Sequence, residues 1–336
     1  MSELRPAALA AALVAHLRGA LDAPALELAE PPAPLSGGFD TEIVALRLRG
    51  GPPAFARPLV LRVLRPHHAP AMVLREQTIQ NSVADQGYPA PRVLLASADP
   101  GPLGAPFLLM ERVPGVPLLA AGWLGLDRVL VDLQLRLHAL DAAPLRRALG
   151  DEATFDGYLD SLARRIDRAA LAGLAPLLGW LRERRPPDDT LAVCHGDFHP
   201  QNVLVEHGAA TGVLDWPNAL VADPVFDVAS TLGILRFVPV GLVSTSRPLR
   251  WLARVGQPLL AARYLAGYRR RRVIPTERLD YYQVAAGLRQ LVRAGESRRR
   301  SAGAPPGGLD ASPFAARLLA HARRVTGLHA ALPRPA

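Results

Sequence analysis

The chain contains no lysine: all 39 of its basic residues are arginine, set against 30 acids for a net charge of +9 over 336 residues. Any permanent cation that this protein places against an anion is therefore a guanidinium, planar and forked rather than a point charge. Cysteine is nearly as scarce. Cys194 stands alone, which excludes an internal disulfide and a cysteine-based zinc cage and leaves it the role of a small buried residue. No eighteen-residue run is uninterruptedly apolar, and the N-terminal AALAAALVAH is broken by His16 and followed by Arg18. A transmembrane segment and a secretory leader are thus not expected, and a cytoplasmic protein is. The arginine runs Arg269–Arg272 and Arg298–Arg300 have no aromatic interleaving and no nucleic-acid motif around them. They read as solvated helix ends, and nucleic acid is not an expected partner. With 49% hydrophobic and 21% charged residues, the chain is globular and long enough for two lobes.

Residues 5–20 carry apolar side chains at helical spacing and predict a helix docked on the surface. Ser36, Gly37 and Gly38 form a turn before the strand Ile43–Leu48, where exposed backbone N–H groups can cover phosphates. Leu59–Leu64 (LVLRVL) predicts a buried strand whose Arg62 shares a face with Val60 and Leu64. A guanidinium there needs partners. Nucleotide phosphates are one, and Glu76, on a helix bounded by Pro70 and Gly87, is another; the alternative is a strand-edge arginine reaching solvent. Strands are predicted at Arg92–Ala96 and Phe107–Met110, the latter ended by Pro114 and Gly115. From Trp123 onward the pattern is helical, with Val129, Leu130, Leu133, Leu137 and Leu140 in one apolar stripe and further helices expected at Pro258–Arg271, Leu279–Ala294 and Pro313–Val325. Ser301–Gly308 reads as a linker.

One stretch differs from these packing patterns: CHGDFHPQNVLVEHGAATGVLDW, Cys194 to Trp216. Val203–Val205 form a short strand, Gly208 and Gly212 break the chain, and Val213 and Leu214 lead back to Asp215. Folded as a hairpin, its arms bring Asn202 beside Asp215, an amide oxygen and a carboxylate suited to Mg²⁺ carrying nucleotide phosphates. Asp197, on the loop before the hairpin, is placed to accept the proton of an attacking hydroxyl.

HGDFHPQNVL followed by LDW resembles the catalytic loop and metal-binding aspartate of the aminoglycoside phosphotransferase and choline kinase-like small-molecule kinases. Gly196 stands where protein kinases carry arginine, and Trp216 where they carry phenylalanine. The resemblance implies an α/β (α+β) chain with a bilobal protein-kinase-like fold, a small strand-rich N-lobe and a larger helical C-lobe, divided into residues 1–112 and 113–336. It implies ATP or GTP as co-substrate, Mg²⁺ on Asn202 and Asp215, and Asp197 as the catalytic base. Arg62, paired with Glu76, takes the place of the phosphate-anchoring lysine that this chain lacks. The Ser36–Gly38 turn would cover the phosphates, and the strand end at Met110, Glu111 and Val113 would be the hinge meeting the purine. Leu137–Ala139 resembles the helix beneath the family's catalytic loop, in which His138 is a core histidine. Asp223 and Asp227 resemble the segment that braces the loop.

The acceptor is expected to be a small-molecule hydroxyl compound, neutral or anionic (macrolide-like, hydroxyacyl or sugar), because the acids beyond Pro224 are few among many arginines. The competing reading is a nucleotide-binding regulatory protein without transfer activity. A protein kinase would need an activation segment ending in an A-P-E-like motif, and none follows Asp215. The apolar stretch 234–243 is open to two readings, a pocket lid or a peripheral membrane contact.

Overall fold

The computed structural model describes residues 4–35, 41–65, 69–122, 125–237, 247–300 and 313–333. The Ser36–Gly38 turn, Trp123, most of the apolar stretch 234–243 and the linker 301–308 lie outside them. In chain order the elements begin with α1 (Leu4–Ala20), β1 (Glu27–Leu28), β2 (Ala33–Pro34), β3 (Thr41–Arg49), β4 (Pro58–Leu64) and α2 (Met72–Ala84). They continue with β5 (Val93–Ser97), β6 (Phe107–Glu111), β7 (Val116–Pro117), α3 (Leu118–Ala121), α4 (Leu126–Leu137), α5 (Ala143–Leu149), α6 (Phe155–Arg168) and α7 (Ala175–Glu183). Then come β8 (Ala192–Cys194), β9 (Val203–Glu206), β10 (Ala209–Val213), β11 (Leu220–Ala222), α8 (Pro224–Phe237), α9 (Arg247–Arg269), α10 (Thr276–Arg300) and α11 (Pro313–Thr326). The chain divides into two compact units, the first made of Met1–Pro117 with Asn202–Pro217 and the second of Leu118–Gln201 with Asn218–Ala336.

The first unit is built on an antiparallel sheet ordered β1-β3-β4-β6-β5, with β2 also pairing β3. Its central strand β4 has both faces covered, which is why LVLRVL shows no polar alternation. Leu59, Leu61 and Val63 pack with Leu13 and Leu17 of α1 in one apolar cluster, while Leu64 packs with Val73 of α2, Leu108 and Met110 in another. Strand pleating therefore sends Arg62 to the α2 side. The hairpin β9–β10 belongs to this unit because β9 pairs with β7 and the Val213 N–H donates to the Pro89 carbonyl.

Among the described residues of the second unit the regular elements are helices and the two-stranded ladder β8–β11, in which Cys194 opposes Leu220. These three-residue strands carry no period readable in the sequence. Helix α8 is buried along most of its length and packs against α10, with Phe155, Phe226, Tyr281 and Tyr282 in an edge-to-face aromatic cluster beside them. In α4 the stripe runs through Leu126, Leu130, Leu133 and Leu137, all buried, and Val129 lies at its edge. Helix α9 begins at Arg247 and not at Pro258, which lies inside it. A proline need not start a helix when the flanking turns supply the remaining bonds. No helix among the described residues is long and apolar enough to cross a membrane.

Candidate active site

The first unit holds one cluster of the expected site residues. Arg62 Nη1 donates to Glu76 Oε1 at 2.5 Å, and its Nη2 lies 3.6 Å from Asp215 Oδ1. Glu76 is 1% exposed. Burial pushes its carboxyl up, against the pull of Arg62 and of the Trp216 backbone N–H. Burial alone would lower Arg62, yet the two carboxylates together hold its guanidinium above the usual range. A forked guanidinium 2.5 Å from a carboxylate is the geometry of a charge-assisted contact.

Asp215 takes its position from the strands that precede it. The ladder β9–β10 pairs Val203 with Val213, and one step further the Leu214 N–H donates to the Asn202 carbonyl at 2.8 Å. The backbone then turns left-handed at Asp215, φ +68°, a conformation that an aspartate tolerates better than most residues. Trp216 secures the turn from the far side. It is fully buried, donates from Nε1 to the Val213 carbonyl at 2.8 Å, and meets Tyr88 edge-to-face. Asn202 and Asp215 are thus clamped at adjacent ends of the two arms.

Of the hinge residues, Met110 is buried in the sheet and Glu111 pairs with Arg57. The Glu111 and Arg112 N–H groups are committed to the Arg92 and Pro58 carbonyls. The Val113 N–H has no such bond among the described residues.

Asp197 belongs to the second unit, on the loop that leaves β8. That loop is held from below. The Gly196 N–H donates to Asp227 Oδ1 at 2.7 Å, and His138 lies between Asp227 Oδ2 at 3.1 Å and the Tyr268 hydroxyl at 2.7 Å. Burial would raise the Asp227 carboxyl, but His138 holds it below the usual carboxylate range. Asp223 accepts from the Val225 N–H at 2.8 Å at the start of α8. Both aspartates therefore brace or cap, as expected, and His138 is a satisfied core histidine.

The residue that sequence reasoning missed is Arg289. Its Nη2 donates to the Gly196 carbonyl at 2.6 Å and to Asp197 Oδ1 at 3.1 Å. Burial pushes Asp197 up, but the Arg289 charge, with lesser help from His199, Arg293 and His195, holds it below the usual range. A signal existed: Arg289 interrupts the apolar run Ala285, Ala286, Leu288, Leu291 and Val292, and an arginine on a buried helix face requires an acid.

Among the described residues no group of three or more histidine, cysteine, aspartate or glutamate side chains could hold a metal. Asp215 and Asn202 instead stand at the ends of the β9 and β10 arms, and a carboxylate and an amide are oxygen donors of the kind that Mg²⁺ takes when phosphates and water supply its other ligands.

A strand-rich unit carrying the Arg62–Glu76–Asp215 cluster and a helical unit carrying a braced aspartate loop define a chain of the kinase-like fold class. The chain belongs to the phosphotransferase enzyme family, whose sequence model (APH) matches residues 33–282. It is 30% identical over 220 residues to an aminoglycoside 3'-phosphotransferase of Streptomyces fradiae, covering 59% of this chain and 72% of that protein. It is also 30% identical over 175 residues to acyl-CoA dehydrogenase family member 10 of Mus musculus, covering 46% of this chain and 16% of the relative, so it spans about a sixth of that relative's length. Its fold is similar to that of a thermostable mutant of aminoglycoside phosphotransferase APH(4)-Ia in ternary complex with AMP-PNP and hygromycin B. The TM-score is 0.63 at 20% identity, over 94% of this chain and 100% of that one.

Proposed function

We propose that this protein transfers the γ-phosphate of ATP or GTP to a hydroxyl of a neutral or anionic small molecule. The observation that carries the reading is Arg62, which pairs with Glu76 and faces Asp215. In a chain without lysine it is the cation available to hold nucleotide phosphates beside the carboxylate of the LDW turn. Asn202 and Asp215 would hold Mg²⁺, which when bound neutralises charge developing on the phosphates. The Val113 N–H is the donor for the purine edge, and Ser36, Gly37 and Gly38, outside the described residues, would supply backbone N–H groups to the phosphates.

Asp197 accepts the hydrogen bond of the acceptor hydroxyl and orients its oxygen toward the phosphorus. As the new O–P bond forms, the bond to the β-phosphate oxygen breaks, the hydroxyl proton passes to Asp197, and the nucleoside diphosphate leaves. An aspartate held ionised by Arg289 is ready for that bond throughout the neutral range. The same ionised, loop-braced carboxylate argues against a nucleotide-binding protein without transfer activity.

Calorimetric titration of the wild type with ATP, with and without Mg²⁺, tests the reading. Metal-dependent binding is expected, weakened in Asp215→Asn; equal or absent binding in both conditions would overturn it.

A further inference from the structure

Most arginines described on α10 are engaged within the second unit. Arg278 pairs with Asp189 and Asp223, Arg289 pairs with Asp197, and Arg298 and Arg299 donate to the Pro333 and Ala170 carbonyls. Arg293 differs: it makes no hydrogen bond or ion pair among the described residues, and it is exposed. The acid closest to it along the helix, Glu296, already gives both carboxylate oxygens to Arg165, at 2.8 and 2.7 Å.

An unpaired arginine on a surface is ordinary, and its place beside the catalytic loop is what gives this one a role. Arg293 follows Arg289 by four residues, so the two share a face of α10 with their Cβ atoms about 6 Å apart. Arg289 Nη2 lies 3.1 Å from Asp197 Oδ1, and the Arg293 charge is near enough to help hold the same carboxyl below its usual range. The Asp197 side chain keeps 11% of its surface open, so a hydroxyl can reach it from solvent. A molecule that arrives there comes close to the exposed Arg293 guanidinium, whose donors are uncommitted and suit a forked contact to carboxylate or phosphate. An ammonium-bearing molecule would instead meet two like charges, Arg289 and Arg293.

We infer that Arg293 is the residue that selects the acceptor: it holds a carboxylate or phosphate of the molecule whose hydroxyl Asp197 orients. The acceptor is thereby an anionic hydroxyl compound. The inference rests on the reading of Asp197 as the base of a phosphoryl transfer, and it narrows a neutral or anionic acceptor to the anionic class.

The test uses the full chain with Mg·ADP present and two pairs of probes, each pair differing in charge. Gluconate and gluconamide carry the same hydroxyls at every spacing from the first carbon and stand for the carboxylate; glycerol 3-phosphate and glycerol stand for the phosphate. Calorimetry is expected to show the charged member of at least one pair binding about tenfold or more tighter than its neutral twin, and Arg293→Glu is expected to abolish that preference. Arg293 is exposed, so this variant leaves no buried group unpaired, and Arg293→Gln, which reverses no charge, should lower the same ratio by a smaller factor. A merely structural arginine would change both members of a pair alike. No preference for the charged member in either pair, or a preference that persists in Arg293→Glu, would overturn the inference. The kinase reading fails separately, in nucleoside diphosphate release from Mg·ATP. An Arg293-dependent preference with release equal in wild type and Asp197→Asn would leave the anion site in place and remove the transfer. Release that requires Asp197 but treats charged and neutral probes alike would keep the transfer and remove the anion site.

Discussion

Replacing Arg62 by leucine, which keeps most of the volume and removes the charge, leaves Glu76 buried without its cation. Removing one partner of a buried ion pair costs about 3–5 kcal/mol, which at roughly 2–4 °C per kcal/mol lowers the melting temperature of the first unit by about 10 °C. Glu76 limits the loss by taking a proton. Burial already pushes its carboxyl up, and Arg62 is the largest influence opposing that, so in the variant the folded state binds a proton that the unfolded state releases near pH 4.3. Between those two titrations the folded state holds more protons, and stability falls as pH rises, by at most about 1.4 kcal/mol per unit. The gap between wild type and Arg62→Leu is therefore expected to be small at pH 5 and large at pH 8, measured by thermal melts across that range. Arg62→Leu with Glu76→Leu, which leaves no unpaired charge, should recover much of the loss while Mg·ATP affinity stays weakened by about tenfold or more. Wild-type stability in the single variant, or a double variant no more stable than the single, would show that Arg62 reaches solvent and that the pair is incidental.

Other consequences can be measured directly. Asp197→Asn is expected to lower kcat by about two orders of magnitude or more, with Mg·nucleotide affinity nearly unchanged by calorimetry. Arg289→Gln removes the principal charge that holds Asp197 below the usual carboxylate range, so burial prevails and the acidic limb of the kcat/KM profile should move to higher pH. A merely structural arginine would lower activity without moving that limb. Gly196→Ala places a methyl group 2.5 Å from the Asn218 carbonyl oxygen at a φ of +74°. Loss of turnover is expected even where the chain still folds by circular dichroism, because the loop that carries Asp197 must shift.

The parts of the site legible in the sequence were those encoded by neighbours along the chain. The hairpin follows from a run of β-formers, two glycines and a returning strand, and it brings Asn202 to the Leu214–Asp215 turn by local pairing alone. Arg62 was legible because a charge in a six-residue apolar run demands a partner, and the helix holding Glu76 lay near enough to name. Pleating of β4 then placed both on one side of the sheet. Tertiary structure decided what depended on distant segments. The ladder β8–β11, three residues a strand, is too short for a period and exists because Leu220 meets Cys194 across 26 residues of chain. Arg289 reaches Asp197 from a helix 92 residues away. Sequence carries the chemistry of the donor side because that chemistry lies in contiguous motifs. Contacts between helix faces far apart along the chain leave no local pattern, so packing alone determines which side chains meet there.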